Sequence, residues 1–397
     1  MDRTILTGAT LIDGTGAPPV PDRAVVVEDG RIVAVVGARE APAGRTLGLD
    51  GLTLLPGLIN CHVHLCFGAE ADPSAAMLRD SYAATVIKAV LRARQTVEAG
   101  VTTARDLGGR DYAELSVRDA IRAGDIPGPR LLCAGRGICI TGGHGWHLIG
   151  RESDGPDEVR KGVREQIKAG ADVIKLFATG GVMTPGVDPS AAQLTLDEVR
   201  AGIEEARKAG RRTAAHAQGT DGIANCLEGG ITTIEHGIYL TEALCRRMAA
   251  DGVALVPTLI APVAIAAGGV DAGIPEFAVR KSAIVRERHA ESFAMALRLG
   301  VPIAAGTDAG TPLNPHGSMV PELALMVKGG LTPLDAIHAA TTAAARALGL
   351  EHETGRVAPG LAADLLAVDG HPADRIEALD EVRLVMARGR LVVNRTK

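Results

Sequence analysis

Aromatic residues are nearly absent from this chain: one Trp, three Tyr and four Phe among 397 residues. Proteins that hold single-stranded nucleic acid stack bases on such rings inside a basic groove. With the rings missing and a formal net charge of -5, nucleic acid is not an expected partner. C-x-x-C pairs are missing too. The six cysteines (Cys61, Cys66, Cys133, Cys139, Cys226, Cys245) are scattered, and a chain this long needs no disulfide staples, so they read as reduced thiols. The opening MDRTILTGATLIDG has neither the basic nor the apolar segment of a secretory signal, and the expected location is cytoplasmic. Residues 253–270 carry no charge over 18 residues, the lower limit for a membrane span. They contain Pro257, Pro262, Gly268 and Gly269 and read instead as a buried strand followed by a loop. Also lacking are a G-x-S-x-G elbow, an H-E-x-x-H helix, a P-loop and a strand-turn-helix G-x-G-x-x-G.

What is present is an ordinary globular composition, 46% hydrophobic and 22% charged. The length suits two domains or one large α/β barrel with an appendage. Residues 1–55 alternate in the manner of strands, with a Pro-rich turn at 16–21 and a hairpin turn at Asp29-Gly30. Residues 356–397 do the same around Arg388-Gly389, so the two ends are expected to form one composite β-sandwich. Residues 56–355 follow another rhythm: a short apolar strand, a loop, then an amphipathic segment ending in Gly, which implies parallel strands with crossover helices. Eight such strands are expected: LPGLINCHVHL, TTARDL, RLLCAGRG, DVIKLFA, RTAAHA, TTIEHG, ALVPTL and PIAAGTD. Helices are expected between them, among others at 77–99, 156–169, 196–209 and 277–299. Eight units close into a (β/α)8 TIM barrel, an α/β fold whose chemistry sits at the C-terminal strand ends.

Polar side chains gather at those ends. His62 and His64 stand two apart on the first strand, so both imidazoles share one face. Lys175 closes the fourth strand, His216 the fifth, His236 the sixth and Asp308 the eighth. A strand-end His taken alone is ordinarily a satisfied polar group, and a Lys there snorkels to water. Five metal-ligating side chains and one lysine at one end of five strands point to a metal centre. Alternation turns Cys61 away from the histidine face, and neither Cys61 nor Cys66 is expected to bind metal. His289, His338, His352 and His371 fall on presumed helices or surface loops and are expected to do no chemistry.

In order and spacing these motifs resemble the amidohydrolase superfamily over essentially the whole chain. The resemblance implies His62, His64 and Asp308 on one metal, His216 and His236 on a second, and a CO₂-carboxylated Lys175 bridging two divalent ions, with zinc the first choice. Such a pair lowers the pKa of a bridging water, and Asp308 would carry its proton to the leaving nitrogen. Within the superfamily, TGGHGW at 141–146, IKLFATGGVMTPG at 174–186, EHGIYL at 235–240 and GTDAGTPLNPHGS at 306–318 are similar to Xaa-Pro dipeptidases (prolidases) and imidazolonepropionase-like enzymes. The resemblance gives His144 the substrate carboxylate and Tyr239 the scissile carbonyl, while His147 and His316 lie on loops over the barrel mouth, His316 as a substrate contact. The expected reaction is hydrolysis of a dipeptide or N-acyl amino acid with a free carboxylate. Another amide, a carbamate, a lactone or a phosphotriester stays open as substrate, as does an inactive barrel serving as a scaffold. Oligomeric state is open.

Overall fold

The structure is a computed structural model and describes residues 3–396. Both chain ends feed one mixed sheet. Its hydrogen-bonded order runs through Arg390–Asn394, Val382–Ala387, Leu365–Asp369, Leu52–Pro56, Arg3–Leu11, Val20–Glu28 and Arg31–Gly37, with Arg45–Gly48 paired to Arg3–Leu11. The strands expected at the two ends therefore join in one continuous hydrogen-bonded sheet of eight strands. Side-chain alternation explains why both faces are buried. Leu54, Leu365, Ala367, Leu384 and Met386 point into the sheet's own core. Their neighbours Leu55, Leu366, Val368 and Val385 point into the main core, beside Ala89, Ala93 and Val97 of the helix Tyr82–Glu98. The two hairpin turns occur as expected, with φ positive at Asp29-Gly30 and at Arg388-Gly389. They touch: a Cβ on Gly389 would lie 2.3 Å from the Gly30 Cα, so only glycine fits there.

The middle of the chain forms two parallel sheets. One is three-stranded, Leu58–Val63, Val101–Asp106 and Arg130–Cys133. The other runs from Gly150–Glu152 and Gly137–Cys139 through Val173–Phe177, Arg212–Ala217 and Thr233–His236 to Ala254–Val256. Residues 302–308, expected as the eighth strand, form no ladder, and 302–309 contain only isolated bridges, at Ile303 and Ala309. Their backbone nonetheless joins the two sheets. On one side Leu255 donates to the Pro302 carbonyl at 2.8 Å, and on the other Cys61 donates to Ala305 at 2.9 Å and Asp308 to His62 at 2.8 Å. At the opposite seam the Asp172 N–H meets the Cys133 carbonyl at 2.8 Å.

Two helices depart from expectation. Residues 77–99 form two helices, Pro73–Arg79 and Tyr82–Glu98, because the Ser81 hydroxyl accepts from Ala84 N–H and starts the second afresh. The uncharged run 253–270 folds as the strand Ala254–Val256 and then a helix, Ile260–Gly268, rather than a loop. Pro262 is tolerated because it falls in the first turn, where its missing N–H costs nothing. Among the described residues no helix is long and apolar enough to cross a membrane.

Candidate metal centre and active site

The C-terminal ends of the parallel strands open on a cavity. His62, His64, Lys175, His216, His236 and Asp308 all line it, as do His144 and His147. The tightest group is His62, His64 and Asp308, whose ligand atoms lie within 4.8 Å of one another. The Asp308 Oδ1 is 3.4 Å from Nε2 of both histidines. That is long for a hydrogen bond. It matches the separation of about 3.3 Å that two ligands keep on one tetrahedral ion with bonds of about 2.0–2.1 Å.

Each of the four strand-end histidines is oriented by a protein acceptor. His62 Nδ1 donates to Glu235 Oε2 at 2.9 Å, and His64 Nδ1 to the Gly108 carbonyl at 2.9 Å. His216 Nε2 donates to the Gly180 carbonyl at 2.9 Å. His236 Nδ1 lies 2.7 Å from the Thr258 hydroxyl. That hydroxyl gives its own proton to the Pro257 carbonyl at 2.6 Å, so it accepts from His236. One nitrogen of each ring therefore carries a proton, and the other keeps a lone pair unspent on protein, as a metal ligand requires. Burial, and after it the neighbouring positive groups, push the protonation of His62, His216 and His236 well below the usual range, which keeps them in the neutral, ligating form. Burial alone would raise Asp308, but His62, His64 and Lys175 hold it down at about 2.

Lys175 is 1% exposed and makes no hydrogen bond among the described residues. Burial lowers its ammonium to about 8, with Arg105 adding to the shift and Glu235 and Asp308 opposing it. A buried lysine without a partner is costly unless something neutralises it. The local backbone is strained as well: His236, Thr258 and Asp308 have φ of 73°, 53° and 57°, a left-handed region that costs non-glycine residues roughly 1–3 kcal/mol each and clusters at functional sites.

His144 sits beside the centre, its ring centroid 4.3 Å from that of His216. Burial first, and Lys175 second, lower it to about 3, so it is a neutral donor or acceptor. The rest of the wall is mostly apolar, with Phe67, Leu148, Ile149 and Phe177 on one side and Val182, Ile238, Pro262 and Ile265 on the other. Two sequence-predicted substrate residues pack against residues of this wall. Tyr239 is half-buried among Val182, Ile238 and Ile265, with its N–H on the Gln218 carbonyl. His316 is buried, with Nε2 on the Phe67 carbonyl at 2.9 Å. His289 lies on the expected helix, its ring buried at the cavity and 3.0 Å from the His236 carbonyl. All six cysteines are buried and unpaired, and burial pushes the Cys61 thiol up to about 12.

Sequence reading missed the layer behind the ligands. Arg105, fully buried, donates to Glu235 Oε1 at 2.7 Å, to the Cys61 carbonyl at 2.7 Å and to Thr233 at 3.0 Å. Glu235 thus joins a buried cation to His62. Asp106 accepts from Leu65 and Gly108 N–H, which fixes the turn that carries His64. An Arg-Asp pair ending a strand of the repeating pattern, VTTARD, was the available signal.

A buried His-His-Asp triad with two further oriented histidines and a desolvated lysine, at the ends of parallel strands, is the arrangement of a metal-dependent hydrolase. The chain belongs to the amidohydrolase family, whose sequence profile matches residues 53–392. Ochratoxinase from Aspergillus niger is 31% identical, over 96% of this chain and 84% of that protein. The crystal structure of a Xaa-Pro dipeptidase with bound methionine in the active site superposes with a TM-score of 0.91 at 31% identity, covering 98% of this chain and 99% of that one. A prolidase complexed with N-methylphosphonate-L-proline gives 0.90 at 31% identity, over 99% and 100%. The protein is accordingly a hydrolase of amide-type bonds.

Proposed function

We propose that this protein hydrolyses the amide bond of a dipeptide or N-acyl amino acid bearing a free carboxylate, at a centre of two divalent metal ions. The observation that carries the reading is the set of four histidines, each with one N–H fixed by a protein acceptor and one lone pair left free, around buried Asp308 and Lys175. The two parallel sheets and residues 302–309 are read as one (β/α)8 barrel over 56–355, with 1–55 and 356–397 as the composite β domain. His62, His64 and Asp308 would hold one ion and His216 and His236 the other. Lys175, carboxylated by CO₂, would bridge them, which removes the cost of its buried charge. Divalent ions bound there, zinc by the mixed His and carboxylate donors, would supply Lewis-acid polarisation of the amide carbonyl and a lowered pKa for water.

The chain's own residues do the rest. The Asp308 carboxylate, ionised at neutral pH, accepts a proton from the attacking water and returns it to the leaving nitrogen. His144 donates to the substrate carboxylate. The apolar walls favour an uncharged side chain next to the scissile bond and exclude water from it. Support for a carboxylate-bearing substrate comes from the dipeptidase that binds methionine and the prolidase that binds a proline phosphonate. Tyr239, packed against Val182, Ile238 and Ile265 of the wall, would polarise the scissile carbonyl, and His316, on the Phe67 carbonyl, would contact the substrate. The test is a substrate panel on zinc-loaded protein prepared with bicarbonate, with metal content measured by elemental analysis. Two ions per chain and highest kcat/KM on free-acid amides are expected. Preference for lactones, carbamates or phosphotriesters would overturn the substrate assignment, and full turnover without metal would overturn the centre.

A further inference from the structure

The long helix Glu276–Arg298 crosses behind the cavity and presents a row of donors along one face. Arg288 Nη2 reaches the Leu240 carbonyl at 2.8 Å, His289 Nε2 the His236 carbonyl at 3.0 Å and the Ser292 hydroxyl the Ile238 carbonyl at 2.6 Å. These three grip the chain after the strand Thr233–His236. Two turns earlier, on the same face, Lys281 grips a different loop. Its Nζ donates to the carbonyls of Gly181 at 3.1 Å, Thr184 at 2.7 Å and Val187 at 2.5 Å. An ammonium has three N–H groups, and all three are spent on residues 181–187.

That loop shapes the surroundings of His144. A Cβ on Gly181 would lie within 2.6 Å of three His144 ring atoms, so the imidazole rests on the bare Gly181 backbone. The Thr184 hydroxyl accepts from Gly145 N–H at 3.0 Å and lies 2.8 Å from His144 Nδ1. Among the described residues the hydroxyl proton has no acceptor other than that nitrogen. Thr184 therefore donates to Nδ1, and the ring proton stands on Nε2.

We propose that Lys281 is a positioning residue for substrate recognition: by gathering three carbonyls of the loop 181–187 it places Gly181 and the Thr184 hydroxyl so that His144 presents its Nε2–H to the substrate carboxylate. The proposal rests on the carboxylate role given to His144 above, and the experiment separates the two. Free-acid and C-terminally amidated forms of one good substrate are compared on the metal-loaded wild type and on Lys281→Met, Lys281→Arg, Thr184→Val, His144→Ala and the double variant Lys281→Met/His144→Ala. Loss of one hydrogen bond to a charged group corresponds to about 10- to 100-fold in affinity. Lys281→Met and Thr184→Val are expected to lose that factor on the free acid through KM, with kcat and the amidated substrate changed by less than about threefold. Lys281→Arg, which keeps a cation, retains most of the discrimination, and Lys281→Met adds no further loss once His144 is gone. If His144→Ala leaves the free-acid preference intact, the carboxylate reading and this inference fall together. If His144→Ala abolishes the preference while Lys281→Met or Thr184→Val retains it, the inference alone is overturned. Should Lys281→Met lose metal or fold poorly, the isosteric Thr184→Val decides by the same criterion.

Discussion

Glu235 holds two charges in a place without water: it accepts from Arg105 and from His62 with no exposure of its own. Removing one partner of such a pair strands the other, at about 3–5 kcal/mol. Glu235→Gln should therefore lower unfolding stability by that order in urea titration. It should also weaken metal binding about 10- to 100-fold in a chelator competition, because His62 loses the acceptor that orients it. Lys175→Ala is expected to lose metal and activity together, with partial return on adding short carboxylic acids that stand in for a carbamate. Elemental analysis and kcat check it, and full activity in the variant would contradict the bridging role. The candidate ligands were legible because each closes an apolar strand with a group that has no business in a core. Their supports were not, since Arg105 and Glu235 lie 130 residues apart and nothing local in either strand announces the other.

At the scale of elements, the helix Ile260–Gly268 walls the cavity and depends on a partner helix. Its first N–H groups, at Leu259 and Ile260, are taken by the Glu322 carboxylate at 2.9 and 2.7 Å, offered from the helix Val320–Lys328. Burial pushes Glu322 up to about 8 from the ordinary 4.5, although those two N–H groups oppose the shift. A carboxyl raised in the folded state contributes its full stability below the unfolded value and loses it as pH rises through the folded one. Urea midpoints of the wild type should therefore fall between about pH 5 and about pH 8.5 relative to Glu322→Gln, which has no proton to lose there. A parallel pH dependence in the two proteins would remove Glu322 from this role. The uncharged, proline-bearing run hid this helix because its cap comes from 62 residues away, whereas helices such as Leu196–Lys208 carry their own signals, Thr195 and Glu198 forming a reciprocal cap.

Over the whole molecule, the sheet built from both ends shares its packing with the parallel strands. Leu55, Leu366 and Val385 lie in one apolar cluster with Val101, Leu131 and Ile174, and the Gly14 carbonyl accepts from Thr342 at 2.7 Å. No seam of weak packing divides them, so equilibrium unfolding should be a single transition, with far-UV circular dichroism and loss of bound metal coinciding. Two separated transitions would show that the composite sheet melts on its own. Alternation in the terminal strands made this sheet legible in outline, but the register that interleaves Leu365–Asp369 between Leu52–Pro56 and Val382–Ala387 is a long-range choice that no local pattern records. It bears on how the polypeptide is born. Synthesis runs from the N-terminus at about 5–20 residues per second, so Leu52–Pro56 emerges from the ribosome well before its neighbour at 365–369 has been translated, and for that interval an apolar strand edge waits bare for a mate.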